Sequence, residues 1–568
     1  MIPHRVPPVL RIGPARLTAG LDHCRRLDLP AHRTLHGTPA PRDLTNLIAQ
    51  VDEVDLRGRG GAAFPFGRKL RAVSAGSRES VVLVNAAEGE PASCKDAMLL
   101  VRTPHLVLDG AVLAAESLHA REVVVAVAAG SVPLASVEAA VAERRAASVA
   151  GAAESHLPIR VVGLPERFIT GEGGALVRGV NGLDASPPGR KRRAATAGVD
   201  GLPTLLSNAE TFAQLAILAE HGVEGYASVG TSREPGTTLL TVGGTHVVEV
   251  PYGTPLAAVL ELCSLEAGDG VLMGGYHGSW LPGSAVGPPS AVSEPPLPAP
   301  AVLSLVPAPV TGPFPAPVTG PFPAPVTGAF PAPVTDPFPA PVTGPFPALS
   351  QAPTDPFPAL PQASPQAPPP PGVEISRLGL EAAGATLGAG IIVPLGSDTC
   401  PLGETTRVAA YLAAQSSGQC GPCRMGLPEV ARALVALCEG HGSSDSVRRA
   451  VRAVERRGAC FHPDGTARFV LSALDAFADD VAAHLESGTC GRPVRGVLPL
   501  PESSDEPSYR LDVDWTRCEG HGLCAHLLPE FVDLDEFGYP SFRTVPGWMA
   551  KEARRAVEMC PALALRLA

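Results

Sequence analysis

Two groups of residues in this 568-residue chain have the types and spacing to do chemistry. Toward the carboxyl end, nine of the 12 cysteines lie beyond residue 399. Cys420-Gly421-Pro422-Cys423 is a C-x-x-C turn with Cys460 as a remote third thiol, and Cys518, Cys524 and Cys560, the last followed by Pro561, form a second set. A C-x-x-C turn presents two thiolates to one centre and a distant cysteine closes the cage, which suits an iron–sulfur cluster or zinc. Near the amino end, Arg57-Gly58-Arg59-Gly60-Gly61-Ala62-Ala63-Phe64-Pro65 is a glycine-rich loop. Lacking Cβ atoms, such a loop lets backbone N–H groups approach a phosphate, so it suits a nucleotide or a flavin. A nucleotide site at one end and clustered thiolates at the other read as an electron conduit.

These groups must be held by several domains, since the chain is too long for one core. Residues 1–40 read as a poorly specified leader. Over 41–230, valine-rich runs such as Val81–Val84 and Val123–Val127 alternate with alanine-rich stretches such as Leu106–Glu116, which argues for an α/β layer with a mainly parallel sheet. Residues 236–285 change to short strands and turns. From Pro307 an octapeptide, Pro-Ala-Pro-Val-Thr-Gly-Pro-Phe, recurs with small variations at Pro315, Pro323, Pro331 and Pro339. Proline at that density blocks helix and central strand, so 286–372 is expected to be a disordered or semi-rigid insert. Residues 373–490 are expected to form a helical domain, with 403–490 helical by apolar spacing, as in Leu427-Val430-Leu434-Leu437 and Val470-Leu474-Phe477. A polar stretch, 491–509, leads to a compact last module, 510–568.

A net charge of −11 argues against a broad nucleic-acid or anionic-lipid surface. No apolar run reaches a membrane span, and the amino terminus lacks a signal-peptide pattern. A cytoplasmic, reducing location is expected, with peripheral attachment at the inner face of a membrane left open, so the paired cysteines are read as metal ligands rather than disulfides. Cys400, Cys438 and Cys490 lack suitable neighbours in sequence and are expected to be packing thiols.

Three further segments follow the glycine loop: Asn85-Ala86-Ala87-Glu88-Gly89-Glu90-Pro91, Phe168-Ile169-Thr170-Gly171-Glu172-Gly173-Gly174, and Gly201-Leu202-Pro203-Thr204 with Ser207-Asn208-Ala209-Glu210-Thr211. In this order they resemble the flavin- and NADH-binding 51-kDa subunit of respiratory complex I (NADH-quinone oxidoreductase), a family shared with NAD-linked hydrogenases and formate dehydrogenases. The resemblance covers roughly 40–490 apart from the insert. It implies an α/β multidomain chain: a Rossmann-like FMN and NADH domain, a β-grasp soluble-ligand-binding domain over 236–285, and a helical iron–sulfur domain. It implies that Gly58, Arg59, Gly60, Gly61, Lys69, Asn85, Glu88, Glu172 and Asn208 line FMN, that Phe64 and Glu90 meet NADH, and that Glu88 takes a catalytic role. Four positions depart from the family: Ala87, Phe168, Gly173 and Ser207 each remove a hydrogen-bonding group from the pocket. Arg190-Lys191-Arg192-Arg193 falls where the family has one lysine; it is either a contact for a dinucleotide phosphate, favouring NADPH, or a solvated loop.

The family's middle cluster turn is C-x-x-C-x-x-C; here Ser417 stands for the first cysteine. Cys420, Cys423 and Cys460 would hold a 4Fe–4S cluster with serine, a 3Fe–4S cluster, or none; zinc with His462 is the alternative. The last module is similar to a bacterial single-cluster ferredoxin, with His521 in the second-ligand slot, which implies a 3Fe–4S cluster or a histidine-ligated 4Fe–4S cluster. Two functions follow. One is an NAD(P)H oxidoreductase passing electrons through FMN and the clusters to the fused ferredoxin, with redox partner proteins such as a 2Fe–2S subunit or a membrane-bound acceptor. The other is a degenerate flavin domain serving as scaffold, with the ferredoxin as carrier or docking module.

Overall fold

The computed structural model describes residues 7–76, 79–152, 154–189, 192–287, 372–501, 509, 511–529, 531–542, 545 and 549–567. The chain is a mixed α/β multidomain protein. Four parallel strands, β1 (Val81–Ala86), β2 (Glu122–Ala128), β3 (Ile159–Leu164) and β4 (Thr204–Asn208), form a sheet in the order β3-β2-β1-β4. The valines of β1 and β2 are buried on both faces, which is why these strands read as continuous apolar runs and not as alternating ones. Around them lie α1 (Phe66–Ser74), α2 (Lys95–Arg102), α3 (Pro104–Ser117), α4 (Gly173–Val180) and α5 (Ala209–Ala227). Helix α3 is buried along nearly its whole length. Gly110 allows its close approach to α5, since a Cβ there would lie 1.8 Å from the carbonyl oxygen of Phe212.

From β1 the chain adds β2 and β3 on one side, then places β4 on the other. The order therefore reverses between β1 and β4, and the crevice outside the carboxyl ends of those strands is where ligands bind in such sheets.

The second module is a six-stranded mixed sheet built from β5 (Thr237–Val242), β6 (His246–Pro251), β7 (Gly270–Met273), β8 (Ser279–Pro282), β9 (Ile391–Leu395) and the strand Val9–Arg11. Two sequence boundaries change here. Residues 391–395 belong to this sheet and not to the helical module, because β9 lies in its middle, parallel to β5 and antiparallel to β7, while Glu374–Ile375 pairs with Thr254–Pro255 in a separate ribbon. The expected leader is also part of the fold. Val9–Arg11 pairs in parallel with β6, the backbone amides of Arg16, Leu17 and Thr18 donate to the Glu249 carboxylate at 2.9–3.2 Å, and Leu17 and Leu27 are buried. The proline repeat falls within 288–371, outside the described residues. Its flanks meet, since a Cβ on Gly372 would lie 2.8 Å from the Val286 carbonyl oxygen.

The third module is helical: α6 (Pro401–Ala414), α7 (Leu427–Cys438), α8 (Ser444–Val454), α9 (His462–Ala476) and α10 (Ala478–Ser487). Leu427, Val430, Leu434 and Leu437 of α7 are buried as their spacing requires, together with Val470 and Leu474 of α9. In the last module, Leu511–Val513 pairs with Leu565–Leu567 and Val532–Leu534 with Pro540–Phe542, around a small core that includes Leu528 and Ala553. Among the described residues no single helix is long and apolar enough to cross a membrane.

Candidate flavin, nucleotide and cluster sites

The four sequence motifs meet at the β1/β4 reversal. Asn85 at the end of β1 is in register with Asn208 at the end of β4. The glycine loop closes on itself, with the Gly58 N–H donating to the Phe64 carbonyl at 3.0 Å, and a Cβ on Gly60 would stand 3.3 Å from that of Asn208. A Cβ on Gly89 would lie 2.4 Å from the Arg167 carbonyl oxygen, and one on Gly275 would lie 3.0 Å from the Glu90 carboxyl. Loops of the first two sheets and the segment 167–172 thus surround one cleft, and Phe64 on the glycine loop is 46% exposed, free to stack on a ring.

One lysine and two carboxyl groups dominate the electrostatics of this cleft. Lys69, on the first turn of α1, donates to the Leu206 carbonyl at 2.9 Å, and burial lowers its pKa to about 8. Burial and nearby Asp96 push Glu88 up to about 7; burial pushes Glu90 up to about 8. The Glu90 carboxylate accepts the Tyr276 N–H at 3.2 Å, which ties the β1 loop to the second sheet. Beneath them, Lys95 pairs with Asp96 at 2.8 Å and Glu210 at 3.0 Å, and Asn208 donates to Asp96 at 2.5 Å. Burial opposes its charge, yet Asp96, Glu210 and Glu88 hold Lys95 above the ordinary lysine range. Lys95-Asp96 stands out in sequence behind the Glu88 motif, but its pairing with Glu210, in the motif after β4, does not.

Other expected residues are brought to the cleft but spend their side chains locally. Glu88 accepts the amides of Asp96 at 3.2 Å and Ala97 at 2.9 Å, and the Ser93 hydroxyl. It therefore caps α2 and shapes the loop, a positioning use beside the catalytic one expected from sequence. Glu172 caps α4 through the amides of Gly174 and Ala175 at 2.8 and 3.0 Å. Asn85 donates to the Gly171 carbonyl at 2.9 Å, joining two of the motifs. Arg59 differs most from expectation: its guanidinium sits 4.9 Å from the Tyr252 ring centroid, turned toward the second sheet, while its amide donates to Thr211 at 3.0 Å. Of the run at 190–193, Arg190 and Lys191 lie outside the described residues, and Arg192 and Arg193 are exposed.

FMN fits this donor set. Lys69 is a partly buried amine whose hydrogen-bond partner is a neutral carbonyl, Gly60 supplies a surface that a side chain would fill, and the buried Ser207 hydroxyl lacks a protein partner. Phosphate and ring oxygens of a flavin would meet these donors, and ribityl or ribose hydroxyls the carboxylates.

In the helical module, the π-helical turn Pro422–Gly426 leads into α7 and sets Cys423 against both Cys420 and Cys460. The Cys460 contact and burial push the Cys423 thiol well above its ordinary range, as expected for thiols gathered without the cations that would ionise them. Ser417 is half-buried, three residues before Cys420. His462 is committed elsewhere, with Nδ1 at 3.0 Å from His277 Nε2 and Nε2 at 2.7 Å from the Leu412 carbonyl, which removes it from the zinc alternative. In the last module, Cys518, His521, Cys524 and Cys560 line one cavity, and Gly520 and Gly522 hold the loop in left-handed backbone at φ +69° and +68°. The residues fit an iron–sulfur cluster in both places.

Cys400 and Cys490 are not isolated packing thiols. Cys400 Sγ lies 3.3 Å from His484 Nε2, and Cys490 completes a compact group with them. The sequence hid it because residue 400 is separated from 484 and 490 by the whole helical module.

Comparison with known proteins agrees with this arrangement. Residues 51–217 match the Nuo51 FMN-binding domain, 404–484 the NADH-ubiquinone oxidoreductase-F iron-sulfur binding region, and 511–567 a 4Fe-4S single cluster domain. The chain therefore carries an FMN-binding domain and an iron–sulfur region similar to those of the complex I flavoprotein subunit, followed by a ferredoxin domain. It is similar to the F subunit of NADH-quinone oxidoreductase from Mycobacterium tuberculosis, 26% identical over 458 residues, covering 78% of this chain and 86% of that protein. It is 31% identical over 243 residues to the NAD-reducing hydrogenase HoxS subunit alpha of Cupriavidus necator, covering 41% of this chain and 40% of that one. Among solved structures, an NAD+-reducing NiFe-hydrogenase in the H2-reduced state shares the fold with TM-score 0.61 at 21% identity, over 85% of this chain and 68% of that one.

Proposed function

We propose that this chain is an oxidoreductase that takes electrons from NAD(P)H at the β1/β4 cleft and passes them through the Cys420, Cys423 and Cys460 site to the Cys518, Cys524 and Cys560 site of its own ferredoxin domain. The observation that carries the reading is the convergence of four separate motifs on the one crevice where this sheet topology binds ligands, around a partly buried lysine held by a neutral carbonyl. FMN, when bound, accepts two electrons from a nicotinamide and releases them singly, as iron–sulfur centres require. The protein's part is positional. The glycine loop brings amides to the flavin, Lys69 supplies positive charge, Phe64 covers a nicotinamide nucleotide, and Glu90 accepts sugar hydroxyls. Glu88 and the Lys95–Asp96–Glu210 triad keep the two strand ends in place. The final acceptor is a separate redox protein, in keeping with relatives that are named as subunits.

Anaerobic purification followed by NADH addition tests this. A yellow-brown protein whose flavin absorption bleaches and whose two clusters are then reduced, each shown by the gain of a 4Fe–4S signal or the loss of a 3Fe–4S signal in EPR, supports it. Clusters without flavin, unresponsive to NADH or NADPH, would refute it and leave a ferredoxin carried on a scaffold.

A further inference from the structure

We propose that Cys400, His484 and Cys490 bind a single zinc ion, distinct from both iron–sulfur sites, which staples the segment leaving the helical module. Their three ligand atoms, Sγ, Nε2 and Sγ, lie within 4.8 Å of one another, and among the described residues no other group of three such side chains is gathered so tightly. A tetrahedral ion with bonds of about 2.0–2.3 Å holds its ligand atoms roughly 3.5 Å apart. The 3.3 Å between Cys400 Sγ and His484 Nε2 is therefore already that of two ligands on one ion.

The surroundings prepare each group for the task. His484 Nδ1 is 2.7 Å from the Cys438 carbonyl and must donate to it, so the neutral ring presents a lone pair at Nε2, the usual outer bond of a metal-bound histidine. Cys400 is the N-cap of α6, and its sulfur accepts the Gly403 N–H at 3.2 Å. Two thiolates and a neutral imidazole cancel the charge of a divalent ion, so the buried centre carries no net charge. Binding releases the two thiol protons to solvent. Thiolate ligands with one imidazole and no carboxylate select zinc over magnesium or calcium.

The site has a mechanical sense. Cys400 begins α6, His484 lies on α10, and Cys490 follows it in the segment that leads to the ferredoxin domain. That segment is already pinned beside the proposed ion: the Cys400 N–H donates to the Pro493 carbonyl at 2.9 Å, and the Glu404 carboxylate accepts the amides of Arg495, Gly496 and Val497 at 2.6–3.2 Å. Arg492 pairs with Asp269 and Asp480 on either side. An ion here would fix the origin of the tether to the last module.

Metal analysis of the full chain, purified with its clusters from zinc-supplied cells, tests the proposal. About one zinc per chain is expected beside the iron, surviving dialysis against a weak chelator. The double variant Cys400→Ser with His484→Gln should fall below about a tenth of that, with iron and FMN unchanged. Zinc that stays in this variant but leaves in Cys423→Ala belongs to the cluster thiols and overturns the proposal, as does a wild-type protein with full iron and no zinc. Should the double variant fail to fold, cobalt(II) loading of the iron-replete wild type decides. Tetrahedral d–d bands with thiolate charge transfer support the site; an octahedral spectrum or a Cys400–Cys490 disulfide refutes it.

Discussion

Replacing Lys69 by methionine separates the cost of the cleft from its use. The Lys69 amine is partly buried, donates at 2.9 Å to the Leu206 carbonyl, and has its pKa lowered by desolvation from 10.5 to about 8. At about 1.4 kcal/mol per pKa unit, keeping it charged costs the flavin-free protein roughly 3 kcal/mol. Below pH 8 the amine is protonated in both folded and unfolded chains and the whole cost is present. Between pH 8 and 10.5 the unfolded chain holds a proton that the folded one has lost, so stability rises with pH across that window. Methionine keeps the volume and removes the charge. Allowing about 1 kcal/mol for the lost hydrogen bond, the flavin-free Lys69→Met variant should gain roughly 2 kcal/mol at neutral pH. It should also lose the upward slope in the alkaline range. FMN affinity moves the other way. Losing a charge-assisted bond of about 2–3 kcal/mol weakens binding roughly 30- to 150-fold. Wild-type affinity should fall by about tenfold per unit above pH 8, while the variant's stays flat. Flavin fluorescence titrations from neutral to alkaline pH, with thermal denaturation of the flavin-free protein, read both effects. A variant that binds FMN within threefold of wild type, or that unfolds more easily, refutes the assignment of Lys69 as the flavin's cation.

Three further outcomes are expected. Glu90, raised by burial from 4.5 to about 8, keeps a proton that the unfolded chain loses between those values, so its contribution to stability is intact below pH 4.5 and declines as pH rises through 8. Glu90→Gln should flatten that decline in denaturant titrations over the acid-to-neutral range and raise the KM for NADH. Ser417→Cys offers the middle site a fourth thiolate, and iron analysis with EPR should show about one more iron per chain and a 4Fe–4S signal there. Gly89→Ala would drive a Cβ to 2.4 Å from the Arg167 carbonyl oxygen, so the loops must part; about 2–3 kcal/mol of stability and most of the bound FMN should be lost, read by denaturation and flavin content.

What can be read from the sequence depends on how locally each feature is encoded. The valine runs of β1 and β2 are long enough to declare strands buried on both faces, and the apolar spacing of α7 fixes its inner face without tertiary context. The glycine loop and Asn208 are legible as motifs, but their meeting depends on a strand order that no local pattern carries. Three residues at Val9–Arg11 form an edge strand too short for any alternation to register, and the buried carboxylate that receives the following amides is Glu249, more than 200 residues away. β9 lies in the middle of its sheet although the proline repeat separates it in sequence from its partners, and that place in the strand order is written in no local pattern. Arg59 reads as a flavin ligand from its place among the glycines, and only the position of Tyr252 shows where its guanidinium goes.

The fold also joins the cleft to the middle cluster by direct contact. Phe168 belongs to the loop packed on Gly89 beside the flavin crevice, and its N–H donates to Gln415 of the helical module at 3.3 Å. Its ring stands edge-on to His277 at 4.8 Å between centroids, to His462 at 5.6 Å and to Tyr411 at 6.0 Å. His462 is two residues from Cys460, whose sulfur touches Cys423. Phe168, His277, His462 and Tyr411 thus pack as one group of rings between the loop at Gly89 and the Cys460 segment. Burial, and for His277 the neighbouring His462 and Arg468, keeps both imidazoles below the ordinary histidine range, and hence neutral at pH 7. Phe168→Ala would open that group of rings while leaving the Lys69 and Glu90 contacts untouched. Flavin reduction by NADH should then proceed at the wild-type rate while reduction of the middle cluster slows by about tenfold or more in stopped-flow traces. Equal slowing of both steps would show that Phe168 serves the nucleotide pocket rather than the path out of it.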